Sequence, residues 1–158
     1  MRTDLHIHTY YSDGVFSPEK IVDTAIGVGL QAIAITDHDN VLAYDVAQKY
    51  IKENHLENKI EIIRGVEINT LYQNKEVHIL GYFMDTNDKD FVDLLKAQQQ
   101  ARIKQTKEII ALLAKKEGIK IKFEDIKKLV AEGGSIGRPH IARAITAVGG
   151  TANVMDAY

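Results

Sequence analysis

The chain has 158 residues, 45% of them hydrophobic, which is one ordinary domain or slightly more, with apolar mass enough for a buried core. Its formal net charge is -2 and it has no cysteine, which excludes a disulfide framework and a thiolate metal site and leaves imidazole and carboxylate as the only strong metal ligands. No apolar run approaches the roughly 20 residues of a membrane span, and Met1-Arg2-Thr3-Asp4 lacks the apolar stretch of a signal peptide, so a soluble, cytoplasmic protein is expected.

From Arg2 to Thr9 the alternation predicts a strand, with Leu5 and Ile7 on one face and His6 and His8 on the other. "SPEKIVDTAIGVGL" predicts a helix with Ser17 as N-cap, Pro18 in its first turn and Gly29 near its C-terminal cap. The apolar run in "QAIAITDHD" suits a strand covered on both faces, and a helix is expected over about residues 41–53. "KIEIIRGVEIN" and "EVHILGYF" read as a third and fourth strand separated by the polar "YQNKE". Strand, helix, strand, helix, strand is the order of parallel α/β architecture. Beyond residue 87 the pattern turns helical: a long helix over about 88–116 closed by Gly118, a shorter one over "FEDIKKLVAEGG", and a third in "GRPHIARAITAVGG". Residues 1–87 are therefore expected to form the α/β part and residues 88–158 a helical subdomain projecting from it.

Charge changes character a little further along the chain. Residues 1–95 carry 8 Lys and Arg against 16 Asp and Glu, whereas residues 96–128 carry 10 against 4. A solvated helix face accounts for the basic stretch; a positive wall that attracts an anionic substrate is the alternative.

The polar residues gather at one end of the predicted strands, where active sites of parallel α/β folds collect. His6 and His8 are two apart in a strand and so present two imidazoles side by side. Asp13 follows in the next loop, "TDHD" contributes His38 between Asp37 and Asp39, Glu67 closes the third strand and His78 comes from the fourth. Carboxylates packed so closely repel one another unless cations lie between them. More candidate ligands are present than one ion can use, so more than one divalent metal is expected, and nitrogen with oxygen ligands suits Zn, Mn or Fe(II) alike. Clustered divalent ions suit the hydrolysis of phosphate esters. Pro139 fits the start of a helix, placing Arg138, His140 and free backbone N–H groups at one helix N-terminus, a ready anion site; the alternative is a surface Arg138 and a His140 that caps or packs the helix. Tyr10, Tyr11 and Tyr44 read as packed aromatics before they read as contacts to a nucleobase.

"DLHIHTYYSDG", "AITDHD", "GVEI" and "VHILGY" resemble, in order and spacing, the first half of the PHP family, named for polymerase and histidinol phosphatase domains. With "GRPH" as a fifth motif, the chain is most similar to the branch of 3',5'-nucleoside bisphosphate phosphatases and short-oligoribonucleotide exonucleases. The resemblance implies the N-terminal part of a distorted (β/α)7 barrel with an inserted helical subdomain. It implies two or three divalent ions in the full-length protein: His6 and His8 on one, Glu67 bridging it to a second also held by His78, and Asp13 and His38 on a third. Glu67 and His8 become the expected catalytic residues, Arg138 and His140 the expected phosphate-binding ones, and Asp37 a residue that orients the histidines. A nucleotide or short RNA is the implied substrate, with neither membrane nor stable duplex DNA as a partner.

The family pattern continues beyond position 158 with further His and Asp ligands, so the sequence is expected to be a portion of a longer protein. An incomplete barrel leaves an open strand edge, and self-association and weak activity are expected of the portion alone. Two alternatives to a phosphoesterase stand beside it: a non-catalytic, metal-stabilised scaffold of the same fold and a metal-dependent amide hydrolase.

Overall fold

The computed structural model describes residues 2–158. Four strands and five α-helices follow in the order β1 (Thr3–Ile7), α1 (Pro18–Gly27), β2 (Ala32–Ile35), α2 (Leu42–Glu53), β3 (Glu61–Tyr72), β4 (Lys75–Tyr82), α3 (Lys89–Lys116), α4 (Phe123–Lys127) and α5 (Arg138–Ala147), with a final 3-10 turn at Met155–Ala157. The sheet order is β1-β2-β3-β4. β1, β2 and β3 are mutually parallel, as the two intervening helices require, but β4 runs antiparallel to β3. Only Gln73 and Asn74 separate those two strands, both at positive φ (50° and 61°), and a connection of that length can make only a hairpin. The sheet is therefore mixed.

Local chemistry sets the helix ends. The Ser17 side chain accepts from the Lys20 N–H, Pro18 fills the first helical position, and Gly29 at φ 77° ends the first helical segment. Asp88 caps α3 by accepting from the Phe91 N–H. The expected helix over residues 123–134 shrinks to Phe123–Lys127. Its continuation instead donates from Ala131 N to Tyr10 O and from Ser135 N to Tyr11 O, so long-range backbone pairing outcompetes helix propagation.

Two apolar clusters hold the fold. In the first, Val22 and Ala25 of α1 and Ala43, Ala47 and Ile51 of α2 pack on Ile33, Ile35, Ile60 and Ile62. In the second, Ile121, Ile126, Ile136, Ile141, Ala144 and Ile145 join α4, α5 and the inner side of α3. Polar bonds connect the two: Asn40 Nδ2 donates to Gly133 O, and Arg143 Nη2 donates to Asp13 O. The sheet is curled: the Tyr82 hydroxyl of β4 donates to Leu5 O of β1 at 2.8 Å. In a flat sheet three strand spacings, roughly 14 Å, would separate them. Among the described residues no helix is long and apolar enough to cross a membrane.

Candidate metal centre

Glu67 is the hub. It lies where the parallel pairing of β2 and β3 ends: the Asp39 N–H donates to Glu67 O and the Glu67 N–H to Asp37 O, which sets His38 directly opposite Glu67. Its residue is 5% exposed. Oε2 lies 3.0 Å from His6 Nε2, 2.9 Å from His8 Nε2 and 3.7 Å from His38 Nδ1, and Oε1 lies 2.6 Å from His78 Nδ1. Four imidazoles thus surround one buried carboxylate.

Asp13 forms a second point of convergence, with Oδ1 3.0 Å from His8 Nδ1 and Oδ2 3.6 Å from His38 Nε2. The loop that carries it is fastened by Asp37, which is buried and accepts from Thr9 N–H (2.7 Å), Thr9 Oγ1–H (2.6 Å) and Ser12 Oγ–H (2.6 Å). Asp37 therefore holds the loop rather than an imidazole N–H. It touches the histidines only through Ser12, whose Oγ lies 3.3 Å from His8 Nδ1. The loop passes so close to β1 that a Cβ on Gly14 would lie 2.5 Å from His8 O, which only glycine avoids.

Among the described residues three overlapping groups emerge: His6, His8 and Glu67; His8, Asp13 and His38; and His38, Glu67 and His78, the ligand atoms of each lying within 4.8 Å of one another. Ligands about 2.1 Å from a common ion stand roughly 3.0–3.4 Å apart; two of the six separations above are 3.0 Å and a third is 2.9 Å, and with this nitrogen and oxygen donor set the residues fit divalent ions. Burial alone would push Asp13 and Glu67 up, but the facing imidazoles, His38 and His8 for Asp13 and His6 foremost for Glu67, hold both carboxyls below their ordinary range. Burial likewise opposes charge on His8, yet Asp13 and then Glu67 outweigh it and raise its pKa. Asp37 goes the other way: burial raises it despite the hydrogen bonds from Ser12 and Thr9.

Arg138 and His140 are not among the converging ligands but border them: Glu76, whose Oε1 lies 3.5 Å from His78 Nε2, joins Arg138 to the cluster. Arg138 is 60% exposed, and its Nη2 donates to Glu76 Oε2 at 2.5 Å. His140 is fully buried, and its Nδ1 accepts from the Gly137 N–H at 3.0 Å, capping α5 from within. Burial, and after it the charge of Arg143, pushes the His140 pKa down. Tyr44 packs on the first apolar cluster beneath the Arg64 guanidinium, and Tyr10 and Tyr11 stack on each other in the loop before Asp13. All nine lysines of residues 96–128 are exposed, as a solvated face requires. Sequence reasoning passed over Thr9, Ser12, Glu76 and Arg102. Only Glu76 carried a signal, since it stands two residues before His78 and shares its strand face.

A curled α/β sheet bearing histidines and carboxylates at the C-terminal ends of its parallel strands defines a metal-binding barrel-type domain. The PHP domain model matches residues 4–153, and the chain belongs to the PHP family. It is 36% identical over 155 residues to the 5'-3' exoribonuclease Rnm of Escherichia coli, covering 98% of this chain and 52% of that protein. It is 26% identical to the 3',5'-nucleoside bisphosphate phosphatase of Chromobacterium violaceum, covering 98% of this chain and 53% of that one. A crystal structure from Bifidobacterium adolescentis, described as a metal-dependent phosphoesterase, superposes with a TM-score of 0.87 at 30% identity, over 99% of this chain and 54% of that one. The chain spans about half the length of the curated relatives it matches.

Proposed function

We propose that this chain contributes the metal-binding portion of a phosphoesterase that hydrolyses phosphate esters of nucleotides or short oligonucleotides. The observation that carries the reading is the set of three overlapping ligand groups around buried Glu67. The ligands are His6, His8, Asp13, His38, Glu67 and His78, for two or three ions of Mn, Zn or Fe. When bound, such ions supply Lewis acidity toward phosphoryl oxygens and a water acidified toward neutral pH. Glu67 and His8, each shared between two groups as His38 also is, are the residues this reading places nearest the chemistry.

Arg138 is the phosphate-binding side chain of this reading. Its guanidinium is exposed and already pairs with a carboxylate, and the same planar fork can pair with phosphate in bidentate fashion. His140, buried, shapes the turn that presents it. Residues 1–87 then act as barrel and residues 88–158 as a helical insertion, a division supported by the two separate apolar clusters. The relatives' printed activities support the substrate class.

The test is hydrolysis of nucleoside 3',5'-bisphosphates and of short RNA by the full-length protein loaded with Mn²⁺. Glu67→Ala is expected to abolish turnover; turnover that survives this change at the wild-type level would overturn the proposal. Bound metal without hydrolysis of either substrate would point instead to a scaffold.

A further inference from the structure

Asp39 follows His38 directly, is fully buried, and has its backbone in the left-handed region at φ 49°. Every polar group it owns is engaged. Its N–H donates to Glu67 O at 2.9 Å and its carbonyl accepts from Gln99 Nε2 at 2.9 Å. Its Oδ1 accepts from the Asn69 N–H at 3.1 Å and its Oδ2 from Arg102 Nε at 2.6 Å. These partners belong to only two segments: residues 67–69 of β3, which begin with the hub carboxylate, and residues 99–102 of α3.

A carboxylate buried this deeply is costly unless a cation meets it, and a non-glycine residue at positive φ persists only where its surroundings over-determine it. Arg102 is that cation. Its side chain is 14% exposed, whereas every lysine of the same basic stretch lies in solvent. The basic segment of the sequence therefore contains one residue of a different kind.

The geometry points to Arg102 as a positioning residue for the metal centre: through Asp39 it holds His38 against Glu67, so that α3 sets the affinity and geometry of the ion these two residues ligate. This rests on the reading of His38 and Glu67 as ligands. A merely structural clamp between α3 and the sheet would also use this ion pair, but it would leave metal binding by the folded protein unaltered. The two roles therefore separate experimentally.

The probe is Co²⁺ alone, followed by calorimetry and by the visible absorption that reports its ligand geometry, with thermal melts alongside. Arg102→Met is expected to weaken Co²⁺ binding by roughly 10–100-fold, the usual scale for residues supporting metal ligands, and to change the absorption of the folded protein. Arg102→Lys, which restores the cation, is expected to recover part of the affinity. If Arg102→Met fails to fold, the double variant Asp39→Asn/Arg102→Gln removes both charges while leaving an amide pair. It is expected to fold and still to bind Co²⁺ at least about tenfold more weakly. Wild-type affinity and absorption in the folded variants, whatever happens to their melting temperatures, would overturn the inference. Glu67→Ala is the reference: if it leaves Co²⁺ binding intact, the metal-centre reading itself fails. If it weakens binding and the Arg102 variants do not, only the role of Arg102 falls.

Discussion

The Glu67 rim and the Arg138 corner are built on opposite plans. At the rim, strand register places the ligands around Glu67: His38 faces it because β2 and β3 pair in parallel, and His78 reaches it because the hairpin folds β4 back along β3. Each donor there touches at least one other, and little of Glu67 is left for water. At the corner, an exposed guanidinium rests on one carboxylate at the start of a helix. Groups that must hold an ion benefit from a prebuilt cage, whereas a group that must exchange one anion for another is better left in solvent.

Substitutions can break this contrast. Glu67→Ala removes the carboxylate common to two ligand groups and is expected to weaken divalent metal binding by more than about 100-fold, measured by calorimetry. Asp37→Ala attacks the rim without touching a ligand. It removes the acceptor shared by the Thr9 N–H and the Thr9 and Ser12 hydroxyls and is expected to cost about 2–4 kcal/mol in chemical denaturation. An unchanged midpoint would mean that the loop carrying Asp13 is held by other means.

The corner responds more mildly. Arg138→Ala is expected to change stability by less than about 1 kcal/mol, as for other exposed ion pairs, while raising KM for a phosphorylated substrate roughly tenfold. A large loss of stability would show that the corner is as prebuilt as the rim. His140 offers a test by pH. Its folded pKa lies below its ordinary value of 6.5, so the unfolded chain binds the extra proton first. The contribution is complete above pH about 6.5 and is lost as pH falls below it. The pH dependence of the melting temperature between pH 5 and 7 is expected to be shallower in His140→Gln than in the wild type; an identical slope would remove His140 from the account.

What was legible in the sequence was whatever depended on period and spacing. Alternation set His6 and His8 side by side, and their rings lie 5.1 Å apart, although β1 ends at Ile7 and His8 stands just beyond it. Ser17 and Pro18 announced the start of α1 because capping is local chemistry. Features that depend on distant partners were not legible. Residues 128–134 read as the second half of a helix, yet the Ala131 N–H pairs with Tyr10 O and the adjoining Ser135 N–H with Tyr11 O, more than a hundred positions away. The family resemblance implies that Asp37 orients the histidines, whereas the buried hydroxyls of Thr9 and Ser12 reach it first. Arg102 was hidden among lysines, and no count of charges distinguishes the one cation that points inward.

The hook between Tyr82 and Leu5 has a kinetic consequence. It joins residues 77 apart in sequence, whereas the β3–β4 hairpin beside it closes over two. Hairpins form in microseconds and contacts between distant residues more slowly, so Glu67 and His78 are expected to meet early in folding and the closure that brings β4 round to β1 is expected late. An ion present during refolding would then find its carboxylate and one imidazole first and gather the remaining ligands as the sheet curls shut.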